Sequence, residues 1–262
     1  MLFRSNEAYG IQRRAEPIVK FELGEERAAN AGLRHLSGWF DRPHPDGQLL
    51  REESDFTAQK IALALARYRE RLEEDTVAAV RRFFTQFDFS STNPAENQLV
   101  RFRAARLVAG KQFPDAVFPA FGNRSGAELA AEDAAFLKEF IRSRARRGRG
   151  EADSSCCLVS IWQSLLLCFD HAQDEELSRL AGNMMNLLLA GFFQKSPDGC
   201  CGGAQGRIGT AEALDHAAAG MYALGYLYGG VGCPELIREC LVDAVLSKFE
   251  PLPEVAAVAL WK

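Results

Sequence analysis

The sequence predicts an all-α protein, an array of antiparallel αα-hairpins closing part-way into an α/α toroid. Three observations predict it. Apolar residues recur at steps of three and four along most of the chain, and no run alternates in the manner of a half-buried strand. Short links rich in Pro, Gly, Asp and Asn punctuate the periodic stretches. In residues 154–195 the apolar stripes are wider than one helix face, as in helices surrounded by other helices. A closed helical bundle is the alternative packing.

Taken in order, residues 1–20 read as an N-terminal arm, irregular or a short helix. Residues 24–40 read as a helix with Leu33, Leu36 and Phe40 on one side. The segment DRPHPDGQ, 41–48, is a turn, because proline presets φ and glycine accepts positive φ. Ser54 is a plausible N-cap for a helix over 54–72, and Asp75 for the next, which runs to about Phe87. FDFSSTNP breaks the pattern. Residues 95–109 are again helical, with Leu99, Phe102 and Leu107 inward. The Gly- and Pro-rich stretch 110–127 is expected to be the longest loop, and loops of that length often line binding sites.

Residues 128–144 form the next helix, through Phe136, Leu137, Phe140 and Ile141. The basic run RSRARRGRG, 142–150, reads as solvated and mobile. Leu158, Ile161, Trp162, Leu165 and Phe169 stripe one central helix, and Leu177, Leu180, Met184, Leu188 and Phe192 its partner. Residues 211–228 form a helix of small residues, stopped by Gly-Gly-Val-Gly. Pro234 opens a helix to about Lys248, at a position that tolerates proline. The tail from Glu250 is broken by prolines and ends on an apolar run. About nine helices result. They are read as a single toroid-like domain over residues 1–262.

Composition narrows the function classes. The chain has 262 residues, 47% hydrophobic and 25% charged, with a net charge of −4. That balance gives no global attraction to nucleic acid or to an anionic membrane, and no aromatic interleaves the arginines of the basic run. No stretch of about 20 apolar residues suggests a membrane span. The N-terminus has no signal-like apolar run, and seven Cys, several inside apolar stripes, suit reduced thiols and a cytoplasmic setting. The vicinal pairs Cys156–Cys157 and Cys200–Cys201 lack the two-to-four spacing of zinc ligands, so they read as small apolar residues and no metal is expected. No cofactor signature is present either.

Several polar residues invite two readings. Glu96 in a first helical turn suits the helix dipole. Arg101, one turn beyond Asn97, reads as a surface ion pair or as an anion contact. The loop GGAQGRIG, 202–209, is either a plain connection or a backbone anion cradle, in which Arg207 would grip a carboxylate or sulfate bidentately. His171 suits a helix C-terminus, while His216 lies near a helix start and close in sequence to Arg207. Tyr222 and Tyr226 share a helix face with Tyr228 beyond them, as core packing or as a sugar-stacking wall.

Three segments together resemble a known group: NPAENQLVRFRAARLVAGKQFPD (93–115), the stretch from Trp162 through FDHAQDEELSRLAGNMMNLLLA to CCGGAQGR, and DHAAAGMYALGYLYG followed by KFEPLPEV. They are similar to the helical toroid domain of bacterial proteins related to heparinase- and alginate-lyase-like polysaccharide lyases. The resemblance implies an anionic oligosaccharide or polysaccharide as partner and β-elimination at a uronate as the reaction. It implies Asn97, His216 and Tyr222 as catalytic residues. Asn97 would neutralise the uronate carboxylate, and a Tyr or His would remove the acidified proton. Arg207, Gln205, Arg101, Glu96 and Gln98 would bind substrate. It also implies a β-sandwich domain or subunit lying outside this chain. Relatives in that group tend to carry His where this chain has Gln98 and Gln205, and glutamine supplies no general acid or base near neutral pH. The competing reading is a non-catalytic helical scaffold or protein-binding module.

Overall fold

A computed structural model describes residues 14–38, 54–88, 95–148, 153–196, 199, 220–232 and 239–260. The described chain is mostly helical, in agreement with the all-α expectation. Its helices are α1 (14–22), α2 (Glu26–Ser37), α3 (Ser54–Arg67), α4 (Glu74–Gln86), α5 (Glu96–Gln112), α6 (Gly126–Arg147), α7 (Ser155–His171), α8 (Glu175–Lys195), α9 (Gly220–Gly229), α10 (Glu239–Leu246) and α11 (Pro253–Leu260). The 41–48 turn, the helix start at Pro234 and the 202–209 loop lie outside the described residues. The chain divides into two compact units: residues 1–94 with 101–135, and residues 95–100 with 136–262.

In the first unit α2 packs on α3 and α4. Its inward stripe is Ala29, Asn30, Leu33 and Ser37, with steps of three and four as a helix requires. Asn30 is buried and fully engaged. Its amide donates to the carbonyls of Glu26 (3.0 Å) and Arg71 (3.1 Å), and its Oδ1 accepts from the Glu73 backbone N–H (2.9 Å). One side chain thus ties α2 to the link between a 3-10 turn, Arg69–Arg71, and α4. Asp75 lies inside the first turn of α4 instead of capping it, because Glu73 occupies the N-cap position.

The stretch expected to be a long loop is ordered secondary structure. Strands β1 (Val117–Phe118) and β2 (Arg124–Ser125) pair antiparallel, in register Val117 to Ser125 and Phe118 to Arg124. A 3-10 turn, Pro119–Phe121, and left-handed Gly122 and Asn123 reverse the chain between them. Strands of two residues are too short to show alternation, so periodicity could not reveal them. The turn closes against two helices through glycine. A Cβ at Gly110 would stand 2.4 Å from the Gly126 carbonyl oxygen, and one at Gly126 would stand 2.1 Å from that of Phe113.

In the second unit α7 and α8 pack together across the turn 172–174, where Gln173 takes φ of 51°. Ser154 caps α7 by accepting from the Cys157 N–H (3.2 Å), and Asp174 caps α8 by accepting from that of Leu177 (2.9 Å). Trp162, fully buried, meets Tyr228 and Phe249 with ring centroids 5.5 and 5.6 Å away. Cys157 and Cys168 sit buried in α7, as does Cys240 in α10.

Two further expectations are corrected here. Residues 142–147 of the basic run continue α6, where Arg142 pairs with Glu176 and Arg144 with Glu96, so these carboxylates order them. The tail forms α11, since Pro253 is accepted at a first helical position and Glu254, Ala256, Ala257, Ala259 and Leu260 after it are strong helix formers.

Two substitutions test this packing. Asn30→Ala leaves the part-buried Glu73 N–H and Arg71 carbonyl without this partner, and should lower unfolding free energy by about 1–2 kcal/mol. Gly126→Ala forces backbone apart and should cost a comparable ~1–3 kcal/mol. Urea titration followed by circular dichroism measures both, and wild-type midpoints for the two variants would contradict the packing described.

Candidate functional site

The predicted site residues fall in four places. Gln205, Arg207 and His216 lie outside the described residues. Glu96, Asn97 and Gln98 begin α5, in the second unit. Arg101 belongs to the first unit, and Tyr222 lies on α9 in the second.

At the start of α5 the side chains serve the helix. The Gln98 Oε1 reaches back to accept from the Ala95 N–H (3.2 Å), the return half of a capping box in which the third helical residue satisfies the N-cap donor. Asn97 Oδ1 accepts from the Gln98 N–H (3.0 Å). Glu96, in the first turn as the dipole favours, accepts a charge pair from Arg144 at 3.0 Å. Arg144 lies over the Phe140 ring one turn earlier, at 5.4 Å.

Arg101 is no surface residue. Its side chain is 0% exposed and its guanidinium donates to Asp55 at 2.5 Å. The same guanidinium stacks 3.5 Å above the centre of the Phe56 ring, and Arg14 approaches that ring at 5.4 Å. The physical reason is α3, which is buried from Ser54 to Leu65 at every position except Phe56. A carboxylate on so enclosed a helix needs a cation, and Arg101 supplies it. The ion pair is present, but it lies buried instead of at the surface.

Sequence reasoning missed the densest charged cluster. Asp133, fully buried, accepts from Arg106 Nε and Nη2, both at 2.7 Å, and from Arg103 Nη1 at 2.8 Å. Glu132 beside it accepts from Arg103 and Arg124. Arg106 rests on the Phe121 ring at 4.5 Å, which couples the cluster to the β-hairpin. The Arg124 hydrogen bond, reinforced by Arg103, holds the Glu132 carboxyl down at about 2. One signal was available in the sequence: Arg103 and Arg106 are one turn apart, as the adjacent Glu132 and Asp133 offer two acceptors together.

In the second unit the polar chemistry is more enclosed. Gln163 Nε2 donates to Asp243 Oδ2 at 2.6 Å, both buried, tying α10 to α7. Tyr222 is half-buried, with its ring against Gly232, where a Cβ would stand 3.0 Å from it. Tyr226 is exposed and so is not core, although it shares the face of Tyr222. Burial pushes the Tyr228 phenol well above its ordinary range, which suits a packing residue more than an acid–base group. His171 ends α7, as expected. Among the described residues no three His, Cys, Asp or Glu side chains gather as a metal site requires, and no helix is long and apolar enough to cross a membrane.

Comparison with known proteins adds no relative: no family model matches the chain, and neither a curated protein nor a solved structure is significantly similar to it.

Two predictions follow from the charge geometry. Asp55→Ala or Arg101→Ala strands a buried charge and should cost about 3–5 kcal/mol, whereas the pair Asp55→Leu with Arg101→Met should recover most of that loss. Denaturant titrations of the three variants measure this, and mild single effects would place Arg101 outside a structural role. Glu132 binds its proton more weakly folded than unfolded, so the stability it contributes is complete above about pH 4.5 and fades as pH falls towards 2. The stability gap between wild type and Glu132→Gln should therefore narrow across that window. A gap independent of pH would refute the assignment.

Proposed function

We propose that this chain is a non-catalytic helical scaffold whose second unit binds another polypeptide. One observation carries the reading: α11, PEVAAVAL, is apolar except for Glu254, yet none of its eight residues is buried. The residue before it, Leu252, is 54% exposed and its last, Leu260, 69%. Val245 of α10 is 67% exposed, and Tyr226, Leu227 and Leu187 also face outward. Single exposed apolar residues are ordinary; here Ala257 and Leu260 of α11 are exposed and Val255, Ala256, Val258 and Ala259 only half-buried, and such clustered exposure on one helix is a common mark of an interaction surface.

The surface is held firmly enough to act as a platform. Asn186 Oδ1 accepts from the Leu252 N–H at 2.8 Å and so fixes the start of α11 on α8. Asp170 Oδ1 accepts from the Lys248 N–H at 3.1 Å. Ala259 meets α9 at Gly229, where a Cβ would stand 2.7 Å from the alanine methyl. In this reading the helices stack as an open α/α array, and the partner completes the apolar packing that α11 leaves unfinished.

The polysaccharide-lyase reading competes with this one. The contacts at the start of α5 weigh against it, because Gln98 and Glu96 are engaged in helix capping and in the Arg144 pair. Both readings meet one experiment. Wild type and the variant Val245→Asp, Leu252→Asp, Leu260→Asp are compared for partner capture, and wild type is incubated with a panel of uronate polymers. The scaffold reading expects a partner retained by wild type, lost from the variant at unchanged helicity, and no ultraviolet-absorbing unsaturated product. Accumulating unsaturated product, or identical capture by both proteins, would overturn it.

A further inference from the structure

We draw no further inference here: the strongest candidate, the exposed apolar face of α10 and α11 in the second unit, is the surface the proposed function already uses, and nothing in the structure shows what covers it.

Discussion

The first unit depends on how closely two helices approach at glycine. Gly110 near the end of α5 and Gly126 at the start of α6 leave room for the backbone where any side chain would overlap a carbonyl oxygen. The approach is sealed by backbone hydrogen bonds from the Gly126 N–H to Ala116 and from the Ala127 N–H to Pro114, both 2.9 Å. Once the helices are that near, residues a turn or two away are pressed together as well. Asp133 is shut off from water and would be intolerable there without cations. Arg103 and Arg106 on the facing helix answer it with three hydrogen bonds. Close packing and buried charge are one constraint here, since relaxing the glycines would let water reach the carboxylate.

The same logic accounts for the unusual composition of α3 and α5. An ordinary surface helix sorts its polar residues onto one side. α3 is enclosed nearly all round and still carries Asp55, Gln59 and Lys60 in its first turns, while α5 hides Arg101 and Arg106. Buried ion pairs are weak sources of net stability, because desolvation offsets most of the attraction. Their strength is discrimination, since a slip of either helix by one residue strands a charge. The Arg101–Asp55 pair, over the face of Phe56, and the Arg106–Asp133 fork each permit a single register.

This is why some of the architecture was legible in the sequence and some was not. Wide apolar stripes located α7 and α8 and placed Ile161, Trp162, Leu165, Met184 and Leu188 in the core, because burial of such helices is written in one-dimensional spacing. Ser54, Ser154 and Asp174 stand at or next to helix starts for local reasons that short sequence windows contain. The β-hairpin was hidden because its strands are two residues long and its order comes from Gly126 and the arginine cluster. Arg101 was misplaced because its partner is 46 residues away, and nothing in its own helix announces that α3 is enclosed. Glu96 was read correctly for the dipole, yet its pairing with Arg144 depended on α6 continuing through an arginine run that resembles solvated chain.

The Glu-Asn-Gln motif shows how a sequence resemblance and a geometry part company. A histidine at position 98 would offer a proton donor or acceptor near neutral pH. Glutamine offers neither, but its carbonyl oxygen reaches the Ala95 N–H, and a third-position Gln or Glu is what a helix start can use. The residue is therefore explained by the helix it begins, with no substrate required. Glu96 and Arg101 are explained in the same manner by Arg144 and Asp55. By contrast, the exposed Ala257 and Leu260 of α11 have no such account among the described residues. Val255, Ala256, Val258 and Ala259 are half-buried and Ala257 and Leu260 exposed, whereas the α11 backbone is held in place by Asn186. A fixed, partly uncovered apolar helix is what a binding surface requires, and that asymmetry between accounted-for polar residues and incompletely covered apolar ones favours the scaffold reading over the enzymatic one.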